Sequence, residues 1–214
     1  MPKVWLIRHA QSESNAGRRT PDPVTIPLTA LGRSQAEAVA RLFDVAPTLI
    51  VESPYTRARQ TAAPVRARFP RAPAETWPVQ EITYLAPSRC HDTNYLERRP
   101  LVEDYWQRSD PHFVDGPGAE SFAAFIARVD GALARLRAMS EGFVAVFTHG
   151  QVMQAAMWRL GWGPLVLTAE RMAEARAFMD TQPVPNGAIL ELELGEGEPV
   201  VRGLHTAHGV TATF

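Results

Sequence analysis

Val4-Trp5-Leu6-Ile7-Arg8-His9, after the first three residues, sets four apolar residues and then, with no spacer, two basic ones. A short apolar run bounded by polar residues reads as a strand buried on both faces. Two later stretches have the same form. Thr48-Leu49-Ile50-Val51 runs into Glu52-Ser53, and Phe143-Val144-Ala145-Val146-Phe147 runs into Thr148-His149-Gly150. Around these runs lie segments with helical spacing. They are Leu31 to Phe43, a segment from Ser53-Pro54 through Ala58, Ala62 and Val65, Glu120 to Met139, Gln151 to Leu160, and Ala169 to Met179. Ser53 is expected as an N-cap with Pro54 at the first helical position. Strands alternating with helices predict an α/β fold: a three-layer sandwich with a mostly parallel central sheet flanked by helices.

Outside that frame, Trp77 to Ile82 is expected as a short edge strand, because Pro78 has no N–H for a central ladder. Asn186-Gly187 is a turn signal before a strand at Ala188 to Leu194. A last strand after Pro199 would make a hairpin across Gly195 to Glu198. Residues 84–117 are rich in Pro, Arg, Asp and aromatics and offer one short helix near Leu101 to Gln107. They are expected to form an insertion or cap. No linker composition divides the chain, so residues 1–214 read as a single domain.

A chain of 214 residues with 45% hydrophobic content can bury a core without disulfides or metals. Its net charge of -1 lacks the basic excess of a nucleic-acid binder. Cys90 is the single cysteine, which rules out an intrachain disulfide and suits a reducing compartment. No apolar run approaches the about 20 residues of a membrane span, and the N-terminal run is too short for a signal peptide. A cytoplasmic location is therefore expected, with no membrane or nucleic-acid partner. The oligomeric state is left open, with a homodimer among the options.

Ligands of open α/β sheets bind outside the carboxyl ends of the strands. If the three strands are parallel neighbours, Arg8, His9, Arg57 and His149 meet at one edge. Two arginines and two histidines repel one another there unless an anion with several oxygens joins them. Guanidinium groups suit that role through paired hydrogen bonds. Arg57 falls in a helix first turn, where the dipole disfavours a cation but favours a bound anion. Each of these short motifs alone also fits a solvated strand end. Their coincidence at three strand ends points to a phosphate or carboxylate site.

Several motifs carry a further resemblance. They are Leu6-Ile7-Arg8-His9-Ala10-Gln11-Ser12-Glu13-Ser14-Asn15, Pro27-Leu28-Thr29-Ala30-Leu31-Gly32-Arg33-Ser34-Gln35-Ala36, and Ser53-Pro54-Tyr55-Thr56-Arg57-Ala58-Arg59-Gln60-Thr61-Ala62. Val79-Gln80-Glu81-Ile82, Glu120-Ser121-Phe122 and Thr148-His149-Gly150 complete the set. In order and spacing the chain resembles the histidine phosphatase superfamily, in its phosphoglycerate mutase-like branch. The resemblance implies that His9 is the nucleophile and that Arg8, Arg57 and His149 bind phosphoryl oxygens. It implies a further phosphate contact from Asn15 and a proton donor in Glu81. Ser12 and Gly150, inside matching motifs, are expected to border the substrate. One departure stands out: Ala10 occupies a position that is usually Gly, which matters only if that backbone needs positive φ.

The expected chemistry is metal-independent, with no cofactor. Neutral imidazole attacks phosphorus, Glu81 protonates the leaving oxygen, and water then cleaves phosphohistidine with Glu81 as base. The substrate is expected to be a small phosphate monoester, with Arg89, His91, Arg98 and Arg99 as candidates to hold a second anionic group. Tyr84, Tyr95, Tyr105 and Trp106 are expected to cap the core rather than stack on a ligand. His205 and His208 read as solvated. Hydrolysis is favoured over phosphoglycerate mutase-type transfer, because Thr83 to His91 does not resemble the segment that follows the acid in such mutases. A non-catalytic phosphoprotein-binding module is the alternative of a different class.

Overall fold

The structure is a computed structural model and describes residues 1–163, 166–195, 199–207 and 211–212. In chain order the elements are β1 (Lys3–Arg8), α1 (Ala30–Arg41), β2 (Leu49–Glu52), α2 (Thr56–Arg68) and β3 (Ala74–Thr76). Then come α3 (Pro87–Cys90), α4 (Tyr95–Gln107), α5 (Phe122–Arg137), β4 (Phe143–Thr148), α6 (Gly150–Trp162) and α7 (Ala169–Thr181). The chain closes with β5 (Ile189–Glu193), β6 (Val200–His205) and β7 (Thr211–Ala212). One sheet holds all seven strands in the order β3-β2-β4-β1-β5-β6-β7.

The predicted α/β sandwich is present, with a mixed sheet. β3, β2, β4 and β1 pair in parallel, and β5, β6 and β7 extend the sheet antiparallel. Both faces of the central strands are covered. Trp5, Ile7, Ile50, Ala145 and Phe147 point to one side, against Val39, Ala40 and Phe43 at the end of α1 and Ala62 and Val65 of α2. Val4, Leu6, Val51, Val144 and Val146 point to the other, against Phe125, Val129 and Leu133 of α5, Met153 of α6 and Met172 of α7. The two-residue period of a strand sends alternate side chains to these two layers, so the sequence reads as unbroken apolar runs. Trp5 packs edge-on against both Phe43 and Phe143, each at 4.9 Å between centroids.

Four local expectations change. The helix after β2 begins at Thr56, not Ser53, and its N-cap Tyr55 makes no side-chain cap bond. The Ser53 hydroxyl is instead engaged by His149. Trp77 to Ile82 is not a strand. β3 ends at Thr76, the Trp77 N–H still reaches the Glu52 carbonyl at 3.1 Å, and Pro78 has no donor to carry the ladder on. The helix expected near Leu101 starts at Tyr95, because Asn94 and Glu97 form a capping box that outweighs Pro100 inside the helix. β7 was not anticipated. Residues 196–198 of the expected hairpin turn, and His208, lie outside the described residues. His205 is part-buried with its ring 6.2 Å from Trp5, not solvated. Among the described residues no helix is long and apolar enough to cross a membrane.

Candidate active site

β2, β4 and β1 are adjacent and parallel, so their carboxyl ends lie side by side. At the end of β1, the His9 N–H bonds the Thr148 carbonyl at 2.9 Å. From the other side the Asn186 Nδ2 donates to the His9 carbonyl at 3.0 Å, and the Gly187 N–H to the Arg8 carbonyl at 3.2 Å. The strand end that carries Arg8 and His9 is thus fixed on both flanks.

The His9 ring is 3% exposed. Its Nδ1 lies 2.8 Å from the Ala10 carbonyl, which can only accept, so Nδ1 carries the proton. Its Nε2 accepts from Arg57 Nε at 3.0 Å. Both contacts select the same neutral tautomer, with the Nε2 lone pair directed at the arginine. Burial, and then the charges of Arg57 and Arg8, hold its pKa well below the usual 6.5. Ala10 is fully buried, and positive φ among the non-glycine described residues is confined to Asp92 and Ser109. The alanine is therefore accommodated without strain.

Arg57 sits in the first turn of α2, stacked 4.9 Å above the Tyr55 ring, with Nη1 donating to the Pro23 carbonyl at 2.7 Å. Desolvation brings its pKa down to about 10, so it stays charged at neutral pH. Arg8 donates through Nη1 to the Val184 carbonyl, and its buried Nε has no partner among the described residues. The Arg8 guanidinium crosses the start of α6 at Gly150, where a β-carbon would lie 3.3 Å from that Nε. Gly150 makes room for Arg8 and does not itself line the cavity.

His149 is fully buried one layer behind, its ring 5.0 Å from that of His9 and 5.3 Å from Tyr55. Ser53 Oγ lies 2.8 Å from its Nε2, while its Nδ1 has no partner among the described residues. Burial and the Arg57 charge keep this ring neutral too, with its pKa well below 6.5.

Glu81 closes the arrangement from the segment after β3. Its Oε1 accepts from the Gln151 N–H at 3.1 Å. Burial pushes the carboxyl pKa up, against the charges of Arg57, Arg8 and Arg128. A carboxyl biased toward its protonated form thus shares one cavity, of about 350 Å³, with Arg8, His9 and Arg57.

Ser12 and Asn15 line the same cavity and are bonded to each other, Ser12 Oγ donating to Asn15 Oδ1 at 2.9 Å. The cap residues Tyr84, Leu85, Tyr95, Arg98 and Val102 form its outer wall. Arg89 does not reach it, because its guanidinium pairs with Asp115 at the surface. His91 is taken by the Pro21 carbonyl and Arg99 by Glu103. Arg98 is the one of the four basic candidates on the cavity wall. Tyr84, Tyr105 and Trp106 pack on one another and on Phe113 and Phe122 as a cap over the core, while Tyr95 is exposed. Sequence reading missed Ser53, Asn186 and the carbonyls of Pro23 and Val184. Asn186 had a signal, its Asn-Gly turn, but acceptor carbonyls have none.

A family model described as the histidine phosphatase superfamily, branch 1, matches residues 4–206. A Citrobacter koseri protein named "Probable phosphoglycerate mutase GpmB" is 33% identical over 151 residues, 66% of this chain and 66% of its own length. The namesake from Proteus mirabilis is 31% identical over 154 residues, with the same coverage. Among solved structures, the alpha-ribazole phosphatase from Shigella flexneri aligns with a TM-score of 0.72 at 24% identity, over 96% of both chains. A phosphoserine phosphatase from Entamoeba histolytica, in complex with 3-phosphoglyceric acid, aligns at 0.71 and 20% identity over 96% of this chain and 98% of its own. At these identities the two structures speak for the fold.

Proposed function

Since this chain belongs to the histidine phosphatase superfamily, we propose that it hydrolyses small phosphate monoesters through a phosphohistidine on His9, without a metal. The observation that carries this reading is the fixed tautomer of His9, whose unprotonated Nε2 accepts from Arg57 in a cavity that Arg8 also lines. In the first step Nε2 bonds to phosphorus and the ester P–O bond breaks, the leaving oxygen taking the Glu81 proton. In the second step water attacks, Glu81 takes one of its protons, and the P–N bond breaks to release inorganic phosphate. Arg57 and Arg8 would turn from their present partners to the equatorial oxygens, stabilising the charge that metals often stabilise. Asn15 would add a contact from the cavity wall, and His149, buried behind His9 and off that wall, would have to turn its Nδ1 toward the phosphate.

The substrate class follows from Arg98. Among the described residues this half-buried guanidinium has only neutral acceptors, the Thr93 carbonyl at 2.7 Å, Thr93 Oγ1 at 2.9 Å and Ser14 Oγ at 3.4 Å. A phosphate monoester bearing a second anionic group would supply the missing charge. The second reading, mutase-type transfer, draws on the names of the curated relatives.

The test is hydrolysis of p-nitrophenyl phosphate with a chelator present. Rapid acid-free quenching should trap a base-stable, acid-labile phosphoryl group on the wild type and none on His9→Ala. That variant should lose about a thousandfold or more in turnover; near-normal turnover refutes the nucleophile. Phosphorus NMR with 3-phosphoglycerate separates the two readings. Release of inorganic phosphate supports hydrolysis, and build-up of 2-phosphoglycerate supports the mutase.

A further inference from the structure

Glu81 sits in a segment with no regular secondary structure, yet a general acid must be held to a fraction of an ångström. The segment is pinned at several points. Val79 and Ile82 are buried in the larger core cluster. The Thr148 hydroxyl donates to the Val79 carbonyl at 2.6 Å. The Tyr55 hydroxyl lies 3.1 Å from Thr83 Oγ1. Further ties come from Glu120 and its partner Arg128. Arg128 of α5 donates to Glu120 twice, Nη2 to Oε1 at 2.7 Å and Nε to Oε2 at 2.9 Å. The same arginine reaches the Pro78 carbonyl through Nη1 at 3.1 Å. Glu120 Oε1 accepts from the Thr83 N–H at 3.0 Å, and the Glu120 N–H donates to the Thr83 carbonyl at 2.8 Å. The pair therefore grips the segment on both sides of Glu81, three residues before it and two after.

Glu120 and Arg128 are largely shielded, at 20% and 13% side-chain exposure, and neither lines the cavity. A two-bonded pair at this depth loses less to solvent than a surface pair. We infer that the Glu120–Arg128 pair is a positioning device for Glu81, fixing the acid over the leaving oxygen and adding a cation to its surroundings. The inference rests on the phosphatase reading for what Glu81 does, but not for where it is held. The charged and titratable groups around that carboxyl are Arg8 from β1, the neutral ring of His9 just after it, Arg57 from α2, Arg128 from α5 and Tyr84 beside it. The Gln151 N–H is its hydrogen-bond donor. Removing the Arg128 charge takes away one of three guanidinium groups that favour the carboxylate, so the carboxyl should stay protonated to higher pH.

The experiment compares wild type, Arg128→Ala, Arg128→Lys and Glu120→Gln on an alkyl and an aryl phosphate. Arg128→Ala should slow kcat for the alkyl ester about a hundredfold, with KM little changed and the aryl ester far less affected. Aryl leaving groups need little protonation. The lysine variant should recover part of the loss, because it restores the charge without the paired geometry. Glu120→Gln should fall between, since its amide oxygen can still accept from Thr83. The alkaline limb of kcat should move up in Arg128→Ala. Equal slowing of both esters, or an alkaline limb that stays or moves down, overturns the inference. A carbon-13 NMR titration of the Glu81 carboxyl in the same proteins needs no turnover. An upward shift in Arg128→Ala supports the inference even if the enzyme proves not to be a phosphatase, and an unchanged titration overturns it. Should Arg128→Ala not fold, the titration of Arg128→Gln, which removes the same charge, decides in the same way.

Discussion

His9 presents its Nε2 because its Nδ1 proton is spent on the neighbouring Ala10 carbonyl. The sequence made the residue conspicuous, but the tautomer depends on a backbone angle that no motif spells out. Since burial and two arginines hold the imidazole unprotonated well below pH 6.5, the acid limb of kcat/KM should lie below that value. A pH–rate profile with an acid limb at or above 6.5 would show that His9 titrates like an exposed histidine. Ser53 offers a second case. The sequence marks it as a helix cap, and the structure spends its hydroxyl on His149. Ser53→Ala should leave both ring nitrogens of His149 without a partner, costing about 1–3 kcal/mol, measured as a drop in the urea midpoint. An effect of a few tenths, the size expected of an exposed serine, would contradict that account.

At the level of elements, three strand ends and their helices were legible, because both faces of the sheet are buried and the apolar runs are unbroken. Less legible were the elements whose ends are set by side chains far away in sequence. The residues 77–82 read as a strand by composition and become a pinned segment, because Val79 and Thr83 find partners on β4 and at Glu120. The helix α4 was half visible. Pro100 hid its first turn, while Asn94 and Glu97 carried the start signal. Asn94→Ala should cost about 1 kcal/mol, and the loss should be local. Hydrogen exchange should quicken over α4 while the amides of β1 and β4 keep their protection. A uniform change across the chain would mean that α4 does not open separately.

Across the whole molecule, the two buried histidines link pH to stability. Unfolded, each takes a proton near pH 6.5; folded, each resists it until well below. Below pH 6.5 the unfolded state therefore binds more protons, and stability falls as the solution is acidified. The slope is about 1.4 kcal/mol per pH unit for each fully contributing ring. Urea midpoints taken from pH 7.5 to 5.5 should decline through this window, and a flat profile would remove the claim that both rings stay neutral. The cap, residues 84–117, was visible only as a change in composition, and its basic residues could not be sorted by sequence. The buried carboxylate of Asp115 and the exposed one of Glu103 neutralise Arg89 and Arg99 and leave Arg98 on the cavity wall.

The cap is also laced to the loop that follows β1. His91 reaches the Pro21 carbonyl, Arg19 reaches the Asp92 carbonyl and Glu97, and Thr20 bridges Thr93. Two residues further on, that loop offers the Pro23 carbonyl to Arg57. On the proposed reading, what would recognise the alcohol and what would steady the phosphate grip are thus sewn along a shared seam. Transplanting residues 84–117 alone into a relative should yield a chimera with a slack arginine and poor turnover. Moving residues 18–25 with them should carry the selectivity across intact.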